Sequence, residues 1–238
     1  MVKKGGGVRT LLVADPHGDY SQILAHGPRA KRIIIAGDLE PPDDLRTILG
    51  PLADKTWYIL GNHDAEKPEQ LARLESMSER CLHRKVVRIG DLRVAGLNGV
   101  FNGKILNASG VDRIEDMEDL SVCIPTREAW LQKRRLGMEH VTAIFKEDLE
   151  AMAEMEADVL ILHEAPECHP NGFQMLGDLA RYMGVRLVLH GHHHEHYEGW
   201  IEGGIKVLGL GTPGGIDPAT YLDEGLEWLE DVYPFPSG

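Results

Sequence analysis

The sequence predicts an α/β layered domain with a largely parallel sheet core, on three observations. Five short apolar runs rich in Val, Ile and Leu recur along the chain, and each ends in residues able to bind a metal ion. Segments able to form helices lie between the first four runs and again between the fourth and fifth. Unbroken apolar runs of this length suit strands buried on both faces, and their alternation with helices suits parallel pairing.

The runs are RTLLVADPHG (9–18), RIIIAGDLE (32–40), TWYILGNHD (56–64), DVLILHEAP (158–166) and RLVLHGHHH (186–194). The helical segments are SQILAHG, DDLRTILGPLA, PEQLARLESM and FQMLGDLARYM, with apolar residues at roughly helical spacing. In open sheets of this kind ligands gather outside the carboxyl ends of the strands. The runs therefore deliver their polar residues to one edge.

A chain of 238 residues is long enough for one sizeable core, so a single domain over 1–238 is expected. A net charge of −13 argues against a surface built for duplex nucleic acid, which calls for clustered Lys and Arg. It leaves room for a small phosphorylated substrate if metal ions supply the positive charge. Cys81, Cys123 and Cys168 are widely spaced and form no CxxC pair, which fits reduced thiols. The apolar stretch LLVA near the start is too short for a signal peptide, and no window reaches the ~18 apolar residues of a membrane span. A cytoplasmic location is expected.

The run ends supply Asp15 and His17, then Asp38, Asn62 and His63, His163, and finally His192 and His194. Carboxylate, amide oxygen and imidazole without thiolate suit Mn, Fe, Zn or Co better than a structural zinc site. The candidate ligands are too many for one tetrahedral ion and about right for two, with Asp38 the natural bridge. Taken singly, each residue has an ordinary use: an Asp at a strand end caps a helix or forms a turn, and a lone His is usually a satisfied polar group. Their concurrence at all five ends is what points to a site.

The set D-x-H (Asp15, His17), G-D (Gly37, Asp38), G-N-H-D (Gly61 to Asp64), an isolated His163 and G-H-x-H (Gly191, His192, His194) resembles the calcineurin-like metallophosphoesterases. The blocks occur in that family's order between about residues 9 and 211. The resemblance implies a two-sheet β-sandwich flanked by helices, a four-layer fold with a dinuclear metal centre at the strand ends. It implies that Asp15, His17 and His194 hold the first ion and that Asn62, His163 and His192 hold the second, with Asp38 bridging. Manganese is favoured among the candidate metals. Two ions ~3.5–4 Å apart clamp a phosphoryl group and generate a bridging hydroxide for in-line attack. His63 is then the general acid, Asn62 and His63 also meet the substrate, and Asp64 either orients the His63 ring or caps a helix.

Within LVLHGHHHEH, alternation along an extended segment would put His192 and His194 on one face and turn His193 away. His190 and His196 are expected in ordinary packing or solvent contact, and Cys168 and His169 in a plain loop. Asp19 is expected to cap the helix that starts near Tyr20. The chain departs from the family where many members carry GDxxDR: here GDLEPPDD has two prolines and no arginine before Arg46. The segment 101–157 is longer than a strand-to-helix connection needs. It is either a lid, with Phe101, Asn102 and Arg113 as candidate substrate contacts, or a pair of flanking helices. The Pro/Gly-rich, acidic tail at 212–238 could wrap the body or support a homo-oligomer.

The expected function is a metal-dependent phosphoesterase acting on small phosphodiesters or nucleotides. The alternative is a binding scaffold of the same fold that has lost catalysis. Such scaffolds tend to lose a ligand or the GNH histidine, and this sequence retains both.

Overall fold

Alternation inside the apolar strands builds the layers. The structure is a computed structural model and describes residues 10–102, 128 and 138–211. Strands β1 (Thr10–Val13), β2 (Arg32–Ala36) and β3 (Thr56–Ile59) form a parallel sheet in the order β1-β2-β3. Ile33 and Ile35 of β2 pack outward against helices, whereas Ile34 and Ala36 pack inward against the second sheet.

That second sheet contains β4 (Lys85–Ile89), β5 (Leu92–Gly96), β6 (Val159–Ile161), β7 (Leu187–His190), β8 (Tyr197–Ile201) and β9 (Ile205–Gly209). Its order is β4-β5-β6-β7-β9-β8, parallel through β5, β6, β7 and β9 and antiparallel at both edges. Val159 and Ile161 of β6 and Leu187 and Leu189 of β7 face the first sheet, while Leu160 and Val188 face away. This is the two-sheet, helix-flanked architecture that the motif resemblance implied.

Short helices cover both outer faces. Over the first sheet lie α1 (Ser21–His26), α2 (Leu45–Leu49) and α3 (Pro68–Ala72), contributing Ile23, Leu45, Leu49 and the half-buried Leu71. Over the second lie α4 (Lys146–Ala153) and α5 (Gln174–Tyr182), contributing Leu149, Met152, Met175, Leu176 and Leu179. Asp44 caps α2 by accepting from the Thr47 amide at 2.9 Å. Gly50, at φ +51°, and Pro51 then end the α-helical geometry of DDLRTILGPLA, and a 3₁₀ turn continues to Lys55.

All five apolar runs form strands. The two edge hairpins were not anticipated, and they make the second sheet mixed. Their turn signals were present: Gly90-Asp91 joins β4 to β5, and Glu202-Gly203-Gly204 joins β8 to β9, with positive φ at all three glycines. The stretch MEHVTAIFKEDLEAMAEME is helical over less of its length than its spacing suggested. Ala143 bridges to Val100, Phe145 is extended, and Asp148 accepts from the Phe145 amide at 3.0 Å to start α4.

Within the segment considered as a lid, α4 flanks the second sheet, and Phe101 is buried against Phe173 at 4.6 Å between ring centroids. Arg113, most of the segment from 103 to 137 and the tail at 212–238 lie outside the described residues. Among the described residues no helix is long and apolar enough to cross a membrane.

Candidate metal centre

The strand ends reach the site through unusual backbone. Among the described residues seven non-glycine positions have positive φ, and Asp15, His17, Asp38, His192 and His194 are five of them. Each such position costs on the order of 1–3 kcal/mol and persists only where packing over-determines it. Side chains such as Ile33, Ile35, Ile59 and Leu189, at 0–1% exposure, contribute roughly 1.5–3 kcal/mol each, so the two sheets can carry that strain. The segment after β7 is accordingly not extended, and alternation is not what brings His192 and His194 to the site. Left-handed turns at φ +71° and +55° do so.

Glycine makes room for the ligands. A Cβ on Gly37, itself at φ +91°, would stand 2.2 Å from His163 Nδ1, and one on Gly61 would stand 2.1 Å from Asp38 Oδ1. The GD and GN motifs thus let the turns after β2 and β3 close onto candidate ligands that other strands deliver.

Asn62 and the Ala36 carbonyl meet Asp38 and His163, which are almost fully buried. His163 Nε2 lies 3.1 Å from Asn62 Oδ1 and 3.3 Å from Asp38 Oδ2, while its Nδ1 lies 2.8 Å from the Ala36 carbonyl. A carbonyl only accepts, so Nδ1 carries the proton and Nε2 presents a lone pair. Unless the ring is protonated, three acceptors then face one another with nothing to share. A proton on Nε2 or a cation between them resolves the conflict, and amide oxygen, carboxylate and imidazole are a donor set that suits a cation.

A second group forms from Asp15, His17 and His194. His17 Nε2 stands 3.1 Å from His194 Nε2 and 3.9 Å from Asp38 Oδ2, and His194 Nε2 stands 4.0 Å from Asp15 Oδ1. Asp15 also accepts from the His192 amide at 3.1 Å to each oxygen, pinning the turn after β7 against the end of β1. The His192 ring lies 5.1 Å from that of His163. Asp38 spans both groups, contacting His163 on one side and His17 on the other, and its other oxygen accepts from the His63 amide at 2.9 Å.

With no ion present, the electrostatics are those of carboxylates holding protons on histidine. Burial raises Asp15 above the usual carboxylate range, against the charge of His163. Burial also works against ionisation of Asp38, yet the hydrogen bond and charge of His163 hold it below that range. His163 is raised in turn: desolvation opposes its charge, and the hydrogen bond and charge of Asp38 outweigh it.

His63 is half-exposed at the rim, its ring 5.5 Å from that of His17. Its Nδ1 donates to Glu66 Oε1 at 2.7 Å, so the carboxylate oriented on this ring belongs to Glu66. Asp64 instead accepts from the Gly61 amide at 2.8 Å and the Glu40 amide at 2.9 Å, bracing two site loops from below. Complete burial pushes its carboxyl up to about 7, against those two hydrogen bonds.

Three acidic residues went unnoticed in the sequence: Glu40 beside His17, Glu66 beside His63, and Glu164. Glu164 is buried next to His192 and His193 and accepts from the amides of Ala165 and Phe101. A Glu one to three residues from a candidate site residue looks like ordinary surface charge, and only the fold shows what it faces. His193 turns from the centre and stacks on His169 at 3.9 Å, so the loop holding His169 packs against the site. His190 is buried, donating from Nδ1 to the Gly191 carbonyl and accepting from Tyr197 Oη, and His196 meets the Gly209 carbonyl. Asp19 accepts from the Ser21 amide at 2.8 Å, but the N-cap of α1 is Tyr20, so Asp19 sits one residue before the capping position expected of it.

Strand ends carrying carboxylate, amide and imidazole ligands between two sheets define a metal-dependent phosphoesterase fold. The sequence profile described as calcineurin-like phosphoesterase matches residues 8–196, and the chain belongs to that family. An uncharacterised protein of Haemophilus influenzae is 36% identical over 206 residues, 84% of this chain and 90% of that one. Among solved structures, a dimetal phosphatase from Danio rerio aligns with a TM-score of 0.52 at 14% identity, covering 90% of each chain, a likeness of fold.

Proposed function

We propose that this chain hydrolyses small phosphodiesters or nucleotides with two divalent cations, manganese favoured. In this assignment Asp15, His17 and His194 would hold one cation and Asn62, His163 and His192 the other, with Asp38 available to both. When bound, such a pair supplies Lewis-acid charge to the phosphoryl oxygens and lowers the pKa of water. The observation that carries the proposal is the facing set of His163 Nε2, Asp38 Oδ2 and Asn62 Oδ1, with both oxygens within 3.3 Å of the imidazole nitrogen.

The protein's own groups then divide the work. Ala36 fixes the His163 tautomer from behind. Asp38 anchors the His63 amide, and Glu66 holds the His63 ring through its Nδ1 proton, so that in the doubly protonated ring the Nε2 proton is the one free to pass to the departing oxygen. Desolvation opposes the charge of His63, but the charge of Asp38 and the hydrogen bond to Glu66 outweigh it and raise the His63 pKa, the direction an acid needs. Cationic charge at the site would come from the metals, which reconciles a net charge of −13 with an anionic substrate.

The test is a screen of aryl phosphate mono- and diesters with Mn²⁺-loaded protein. The proposal expects diester turnover that disappears in Asp38→Asn. Monoesters turning over far faster under matched conditions would overturn the diester preference, and no turnover of either would favour the scaffold alternative.

A further inference from the structure

We infer that Glu40 is a positioning residue for His17 and sets how tightly the first cation is held, an inference that rests on the metal-dependent function proposed above. Glu40 belongs to none of the motif blocks, and its surroundings are more constrained than a surface glutamate requires. Its backbone sits at φ +40°, a conformation that disfavours Glu. Its amide donates to Asp64 Oδ1 at 2.9 Å. Its carboxylate accepts from His17 Nδ1 at 2.5 Å through Oε2 and from Gln70 Nε2 at 3.3 Å through Oε1. Gln70 is nearly buried and is itself held by the Lys67 amide at 2.9 Å.

The chemistry follows from the inventory of donors. A carboxylate can only accept, so Glu40 keeps the proton of His17 on Nδ1 and leaves Nε2 as a lone pair. That lone pair points to where His194 Nε2 and Asp15 converge. The backbone locks the same two loops: the Gly18 amide donates to the Leu39 carbonyl at 3.1 Å and the His17 amide to the Asp38 carbonyl at 2.9 Å. A carboxylate behind a metal-binding imidazole fixes tautomer and ring orientation and raises ligand basicity; its loss typically costs ~10–100-fold in metal affinity.

The test is Mn²⁺ binding to the full chain by calorimetry, with electron paramagnetic resonance counting bound ions. Glu40→Ala should weaken the first ion about 10–100-fold while leaving the second within about threefold, and Glu40→Gln, which keeps an acceptor but loses the charge, should fall between. In a His17→Ala background, Glu40→Ala should add nothing, because Glu40 acts through that ring. An unchanged first affinity overturns the inference, as does an equal loss with and without His17, which would mark a general loop effect. If Glu40→Ala does not fold, Glu40→Gln decides the matter through the charge alone. Wild-type protein that takes up no Mn²⁺ would sink the proposed function as well, whereas two ions bound with no effect of Glu40 would sink this inference only.

Discussion

Nε2 of His163 stands 3.3 Å from Oδ2 of Asp38 at the bottom of the site, and both side chains are almost completely shielded from water. The pair joins the two sheets, since Asp38 follows β2 and His163 follows β6. Asp38→Asn should therefore cost more metal affinity than the ~10–100-fold loss expected from an outer partner. Equilibrium dialysis against Mn²⁺, with circular dichroism to confirm an intact fold, checks this.

Gly37→Ala should destabilise the protein by at least about 2 kcal/mol. The added methyl meets His163 at 2.2 Å, and φ +91° is strained for any side chain. A urea titration of the metal-free protein reads the loss. A wild-type midpoint would mean that the tight approach of Gly37 to His163 is not needed.

His63→Ala should lower turnover about 10²–10⁴-fold while leaving metal content unchanged, because the ring projects to the rim and only its backbone amide contacts Asp38. The loss should shrink for aryl esters whose leaving group needs no proton. Equal losses for good and poor leaving groups would remove His63 from the acid role.

His190 gives a pH dependence that can be measured without substrate. Burial first, and then the charges of His193 and His169, lower its pKa to about 4 from the usual ~6.5. The folded state thus binds this proton less readily than the unfolded chain. The stabilising contribution is complete above pH ~6.5 and is lost as pH falls toward 4, amounting to up to about 3 kcal/mol. Unfolding free energies at pH 7.5 and 5, measured in chelator, should show the drop in wild type and a smaller one in His190→Gln.

Much of this was legible because the strands are buried on both faces. RIIIAGD and RLVLHGH advertise themselves as unbroken apolar runs, and their polar ends mark where the sheet delivers ligands. The edge hairpins were harder: YEGWI exposes alternate residues, and KVVRI is only part-buried, so neither stands out as an apolar run. The candidate ligand residues could be picked out by motif order, but not the way they arrive. His192 and His194 converge through left-handed turns that a periodicity argument does not contain. Glu40, Glu66 and Glu164 were hidden for a different reason. A carboxylate behind a histidine is defined by which ring it faces across 3 to 29 residues of chain, and local sequence carries no trace of that.

Two cations sharing Asp38 are the centre of the proposed function, and a crystal grown with Mn²⁺ tests it most directly. Anomalous scattering at the manganese edge should show two peaks ~3.5–4 Å apart, one beside His17 and His194 and the other beside Asn62 and His163. A single peak, or peaks away from Asp38, would contradict it.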